Sequence, residues 1–466
     1  MDGWSCENQP ATKETMPADI LASLLRILED VSRAELTRPS FANFLVLVVG
    51  WVQTVGPVHT VTGTLVATGV AGKRHHEAFH RFFSRGTWSP DALGYFLLRR
   101  LEAWMGEGPL RVVVDDTVAP KKGPHVFGLG THVDAVRSTR RHRAFTFGHC
   151  WVVLAVLVRV PFSRRVWALP ILFRLYRNLK ECTRHKAPYR KKTELAREML
   201  DTLCRWTGER RIEAVVDAAY CNDTVTRGLS PRVVLFGAMR PDAVLTELPP
   251  TRRPRPTGGR PSKRGPLLPK PEAFAKDGRR PWKTCQADIY GRITAVRYKT
   301  FCAQWYRACG TGLLRVVVVA TTKGNVPWRV FFCTDATLDV RTIVETYAQR
   351  WGIEVFFRDG KQLLGFADSP ARKANSVLRV APFVGLLYSI LVLWFAEGAS
   401  TSSLATPPLR PWYCHKRGLC FADILRTAQS AFKDFDVLVP SPHFNNLAKP
   451  NTRSGSREEP PLQKAA

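Results

Sequence analysis

The chain has 466 residues, enough for two to four structural units, and 45% of them are hydrophobic, enough for a sizeable core. Lys and Arg number 69 against 39 Asp and Glu, a net charge of +30, which favours a polyanionic partner, with nucleic acid the usual one. The eleven cysteines are scattered and odd in number and the opening MDGWSCENQPATKE is polar, so the expectation is a chain of the reducing cytoplasm rather than a disulfide-stapled secreted one.

The first hundred residues read as helical. Ala18 to Leu36 carries Leu21, Leu24, Leu25 and Leu28 on one face. The apolar run Phe44 to Val55 is too short to span a bilayer and is interrupted by Gly50 and Gln53. Next, Lys73, Arg74, His75, His76, His80, Arg81 and Arg85 interleave with Phe79, Phe82 and Phe83. A basic helix with an aromatic back suits DNA docking; a helix packed on the core with solvated charges fits equally well. Ser89-Pro90-Asp91 opens another helix.

Arg111 to Asp115 is a β-branched run ending in Asp115-Asp116-Thr117, a buried strand that delivers a carboxylate at its end. Periodicity alone does not choose between Asp115 and Asp116. Gly128 to Gly130 lacks the spacing of a nucleotide fingerprint. Arg137, Arg140 and Arg141 lie in RSTRRHR, read as phosphate contacts near a site mouth or as an exposed turn. Trp151 to Val160 and Val166 to Leu175 read as antiparallel strands, and Thr193 to Trp206 as a helix. Arg211 to Tyr220 repeats the strand-then-acid pattern at Asp217, with Asp223 as a helix cap and a strand from Arg232 to Met239.

Between Thr251 and Lys283 eleven Lys and Arg face only Glu272 and Asp277, with dense Pro and Gly. A packed core is not expected there. Arg252, Arg253, Lys263 and Arg264 read as part of an arm along a DNA backbone, against the plainer reading of a solvated linker. Strands return at Ile289 to Tyr298, Gly312 to Thr321 and Arg329 to Thr334. Trp282, Trp305 and Trp328 suit core packing better than base stacking. Cys302, Cys309, Cys414, His415 and Cys420 form no paired zinc framework. Val380 to Ala396 carries Pro382, Gly385 and Ser389 and falls just short of a spanning length, so a buried helix over a sheet is expected, and no membrane. Ala422 to Phe432 reads as a last short helix, and residues from about 446 read as disordered.

The most informative stretch is YAQRWGIEVFFRDGK, from Tyr347 to Lys361. On one continuous helix with Tyr347 at zero, Arg350, Glu354 and Lys361 fall at roughly 300°, 340° and 320°. A carboxylate flanked by two unpaired cations on one arc suits a metal-binding acid beside a phosphate-binding surface. Gly352 is the residue most able to bend this helix.

The spacing Tyr-x2-Arg-x3-Glu-x6-Lys resembles the signature of DDE-type insertion-sequence transposases of the superfamily named after insertion sequence four. The strand–Asp-Asp-Thr segment at Asp115 and the Asp-Ala-x-Tyr context of Asp217 resemble the two aspartate segments of the same group. The resemblance implies an α/β fold: an RNase H-like mixed five-stranded sheet flanked by helices, with a β-rich insertion and a helical N-terminal region. It implies a DNA-binding region over 1–105, a catalytic core over 106–240 and 339–400, an insertion with a basic arm over 241–338, and a C-terminal segment over 401–466. Asp115, Asp217 and Glu354 are then the catalytic metal ligands, for two Mg²⁺ ions that Mn²⁺ can replace. Tyr347, Arg350 and Lys361 hold DNA. The implied activity is metal-dependent cleavage of element-end DNA and strand transfer into target DNA, by a homodimer at the nucleoid. The alternatives are an inactive DNA-binding descendant and an endonuclease without strand transfer.

Overall fold

The computed structural model describes residues 17–55, 59–134, 137–139, 141–250, 262–321, 327–405 and 418–439. Arg140, Arg252, Arg253, Cys414, His415 and the segment from 446 lie outside the described residues. Five helices come first: α1 (Pro17–Ser32), α2 (Arg38–Gln53), α3 (Val61–Ala67), α4 (Glu77–Ser84) and α5 (Pro90–Met105). Strands β1 (Leu110–Pro120), β2 (Gly130–Val133), β3 (Phe145–Arg159) and β4 (Val166–Tyr176) follow. Helices α6 (Leu179–Arg184) and α7 (Lys192–Trp206) lead to β5 (Ile212–Val216), α8 (Asp223–Thr226) and β6 (Val233–Met239). Then come α9 (Pro271–Lys276), β7 (Lys283–Ile289), β8 (Arg292–Gln304), α10 (Tyr306–Cys309), β9 (Leu313–Ala320) and β10 (Trp328–Cys333). The described chain ends with α11 (Val340–Ala348), α12 (Trp351–Leu363), α13 (Ala374–Glu397) and α14 (Phe421–Ala431).

All ten strands join one mixed sheet in the order β2-β3-β1-β5-β6-β10-β9-β8-β7, with β4 also paired to β3. β1, β5 and β6 are parallel; β3 runs antiparallel to β1, and β4 and β2 antiparallel to β3. The parallel strands are apolar on both faces, as strands covered on both sides must be. β10, β9, β8 and β7 extend the same sheet beyond β6 as an antiparallel meander. The sheet is therefore wider than the five strands the resemblance implies, and the strands after residue 241 share its ladder.

Helix α13 is apolar around its circumference, and such a helix has to be buried. By length and composition it could cross a membrane, yet most of it packs inside, against β4, α5, α4, α1 and α14. Gly385 permits this, because a Cβ there would lie 2.3 Å from the Phe173 ring. α4 and α2 close on α13: Phe83 of α4 and Phe44 of α2 meet the Phe383 ring edge-on. The N-terminal helices and the sheet thus share one core through α13.

Several sequence expectations are corrected. Ile289 to Tyr298 is not one strand but the end of β7, a two-residue turn and the start of β8. Tyr290 and Gly291 both have positive φ (56° and 80°), the signature of a tight hairpin turn that a β-branched reading overlooks. The basic Pro/Gly-rich stretch contains α9, whose Phe274 and Ala275 are buried; Lys299 caps it by donating to the carbonyls of Phe274, Ala275 and Asp277. Asn222, not Asp223, caps α8, its side chain accepting from the Thr224 amide. Gly352 does not bend the signature helix. The break falls at Gln349–Arg350, where bonds from Gln349, Arg350, Gly352 and Ile353 reach three residues back rather than four.

Candidate active site

β1 does not end at its aspartates. It pairs with β3 as far as Pro120, while its parallel ladder with β5 stops at Val114↔Val216. Asp115 and Asp217 are each the next residue after that last rung. Two carboxylates therefore stand side by side where the parallel strands part, and Asp217 leads into a 3₁₀ turn, Ala218–Tyr220. Side chains alternate along a strand, so Asp115 and Thr117 point to one face of β1 and Asp116 to the other.

On the Asp115 face lies α12. Arg350 Nη1 donates to Asp115 Oδ2 at 2.6 Å, and its Nη2 donates to Glu354 Oε1. Arg350 is thus paired with two carboxylates rather than free, as the sequence reading expects it to be. One pleat further along, Lys361 Nζ donates to Thr117 Oγ1 at 2.7 Å and to the Val118 carbonyl at 2.8 Å. Tyr347 packs on Phe331, ring centroids 4.4 Å apart, and burial pushes its hydroxyl up to about 12.

Asp115 is only 16% exposed. Burial pushes its carboxyl up to about 7; Arg350 opposes this, and the charges of Asp116 and Asp217 reinforce it. Burial disfavours the Arg350 cation, but Asp115, Tyr347, Glu354 and Asp217 around it hold it above its ordinary range. Arg350 thus bridges Asp115 and Glu354, and the charge of Asp217 also reaches it. Burial pulls Lys361 below its ordinary range against the charges of Asp134 and Asp368.

The donor set is oxygen only, which suits a hard divalent cation. In donor chemistry the residues fit a metal; the cation that a carboxyl as buried as Asp115 needs beside it is supplied here by Arg350. Among the described residues no three His, Cys, Asp or Glu side chains form a group ready to hold an ion, and the Arg350 guanidinium lies between two of the three acids.

The other predicted contacts are dispersed. Arg137 is exposed, 3.8 Å from Asp134, and Arg141 is exposed. Lys263 is exposed, and Arg264 covers the Tyr306 ring at 4.8 Å. Trp305 packs on Phe332, while Lys299 covers Trp282 and Lys276 covers Trp328. Sequence reasoning missed a cavity of about 810 Å³ on the far side of α12, lined by Arg164, Arg165, Arg292, Arg358, Tyr290 and Trp351 among others. It also missed Lys192, which carries no signal beyond the basic run Arg190-Lys191-Lys192 at a helix start, and the partner of Tyr220.

No curated protein matches the chain. A family model described as DDE superfamily endonuclease matches residues 33–307, a span that includes Asp115 and Asp217 and ends before Glu354. Superfamily members use divalent metals. With more than half its length matched, and with two acids at the end of a parallel ladder, the chain belongs to the DDE superfamily of endonucleases, enzymes that act on DNA.

Proposed function

We propose that this endonuclease is a transposase of the Tyr-Arg-Glu-Lys group, cutting element-end DNA and joining the freed end to target DNA. The observation that carries the reading is the meeting of Asp115, at the end of the β1/β5 ladder, with Glu354 of α12 through a shared arginine. Strands β4-β3-β1-β5-β6 are read as the RNase H-like core and β7 to β10 as the insertion. Residues 106–240 and 339–400 form the catalytic core in this reading, 241–338 the insertion, 1–105 the DNA-docking region and 401–466 a C-terminal segment.

Asp115, Asp217 and Glu354 would hold Mg²⁺, or Mn²⁺ in its place, which when bound activates a water or a 3′-hydroxyl and steadies the leaving oxygen. Arg350 offers a planar fork that matches a phosphate as well as it matches two carboxylates. Lys361, braced on Thr117 and the Val118 carbonyl, keeps α12 in register with β1 and puts a positive charge one pleat from Asp115. Tyr347 walls the site beside Arg350. Arg137, Arg140, Arg141, Arg252, Arg253, Lys263 and Arg264 are read as backbone contacts to DNA. A homodimer would bring two element ends together, at the nucleoid.

The test uses purified protein, DNA carrying the element's ends, Mg²⁺ and a supercoiled target. Cleavage should vanish on chelation. Glu354→Ala should lower it by more than the roughly 100-fold that loss of a metal's outer partner costs, while DNA binding persists. Undiminished cleavage by that variant removes Glu354 from the site. Cut ends without joined products would leave an endonuclease that does not transpose.

A further inference from the structure

The face of β1 opposite Asp115 holds a second, partly buried polar cluster that the reaction does not use. Asp116 lies at its centre. Its Oδ1 accepts from the Tyr220 hydroxyl at 2.7 Å, and its Oδ2 accepts from Lys192 Nζ at 2.6 Å and from Cys150 Sγ at 3.5 Å. Tyr220 is 1% exposed. Four polar groups from β1, β3, α7 and the turn after β5 therefore meet, Tyr220 and Cys150 buried and Asp116 and Lys192 partly exposed.

Stability alone is a weak reason for such a cluster. An ion pair drawn partly out of water, as Lys192–Asp116 is, loses in desolvation part of what it gains in attraction. What the cluster does offer is position. The backbone amide of Asp116 donates to Asp115 Oδ1 at 2.8 Å, fixing the rotamer of the neighbouring carboxylate. Tyr220 ends the 3₁₀ turn that Asp217 begins, and its amide donates to the Asp217 carbonyl at 2.9 Å. The parallel ladder has already ended at Val114↔Val216, so no rung ties Asp115 to Asp217. The Asp116–Tyr220 bond spans that gap from the other face.

We propose that Asp116 is a positioning residue: through its own amide it orients Asp115, and through Tyr220 it clamps the Asp217 turn to β1, setting the separation of the two acids. Lys192 compensates the charge on the other carboxylate oxygen, Oδ2, and leaves the Oδ1 bond to Tyr220 as the clamp. The inference rests on the reading of Asp115, Asp217 and Glu354 as metal ligands. Hydrogen-bonded outer partners of metal-binding carboxylates are a recurrent way to pre-organise them, and their loss weakens metal binding 10–100-fold in general.

The experiment measures Mn²⁺ binding to the full chain without DNA, by the electron paramagnetic resonance of free Mn²⁺, together with thermal melting. Wild type is compared with Tyr220→Phe, Lys192→Met and Asp217→Asn. Tyr220→Phe removes one oxygen and leaves Asp116 paired with Lys192; its Mn²⁺ affinity should fall about 10–100-fold with little change in melting. Lys192→Met leaves the partly buried Asp116 charge uncompensated but keeps the Asp116–Tyr220 bond; its melting temperature should fall while Mn²⁺ affinity holds. A purely structural cluster predicts the opposite, affinity tracking melting across both variants, and that result overturns the proposal. Tyr220→Phe binding Mn²⁺ as tightly as wild type, while Asp217→Asn loses it, overturns the proposal and leaves the metal site standing. Asp217→Asn binding Mn²⁺ like wild type removes the metal-site reading itself, and the positioning role with it.

Discussion

Arg350 reaches Asp115 with one nitrogen and Glu354 with the other, so a single side chain joins α12 to β1 across the site. An isolated helix reading sees only half of this. The spacing of Arg350 and Glu354 allows an i,i+4 pair; nothing local announces Asp115 as a third member. A lysine at 350 would keep the charge but could not span both acids, because an ammonium is a point charge and a guanidinium a fork. Arg350→Lys should therefore cost about 1.5–3 kcal/mol of stability, the range for a lost charged hydrogen bond. It should also lower single-turnover cleavage measured well below its melting temperature. Cleavage equal to wild type under those conditions would reduce Arg350 to a structural bridge.

At the scale of elements, the site depends on where pairings stop. Parallel β1 and β5 separate after Val114 and Val216, and the two acids follow at once. The α11–α12 junction tightens to three-residue bonds around Arg350, which changes the angular step per residue from the even helix that a single arc assumes. The N-terminal helices hold the sheet from behind by close approach. Gly94 of α5 lies so near β4 that a Cβ would be 2.1 Å from the Ile171 carbonyl oxygen, a backbone atom that cannot swing away. Gly94→Ala should accordingly destabilise by about 1–3 kcal/mol, the usual cost of overpacking, in spite of alanine's better helix propensity. Gly278, with nothing within 4 Å, is the control, and Gly278→Ala should stay within about 0.5 kcal/mol of wild type. Denaturant melts of the two variants make the comparison, and a neutral Gly94→Ala would mean that α5 is free to move off β4.

For the whole molecule, a charge of +30 on a body with one shared core makes DNA affinity steeply salt-dependent. Each phosphate that a cation neutralises contributes about 0.9 to the slope of log K against log salt. Neutralising Arg252, Arg253, Arg255, Lys263 and Arg264 together should flatten that slope by about 0.9 for each phosphate no longer held, at nearly unchanged melting temperature. A slope identical to wild type in a titration from low to moderate salt would make the stretch a linker.

The chain's own residues determined its elements and carry the pattern from which its chemistry is proposed. The helical first hundred residues, the β-branched runs before Asp115 and Asp217, the buried α13 and the Tyr-Arg-Glu-Lys spacing are all local patterns, and burial periodicity needs only a window of neighbours to be read. Tertiary structure decided what those patterns meet. Asp115 and Asp116 have the same neighbours in sequence, and only the packing of α12 on one face of β1 and of α7 on the other gives them different partners, Arg350 and Lys192. The extension of the sheet through β10 to β7, the arginine between two acids and the Tyr220 clamp all depend on residues far apart in the chain. Such pairings follow from how apolar faces stack on one another, a property of the folded whole that no stretch of sequence carries by itself.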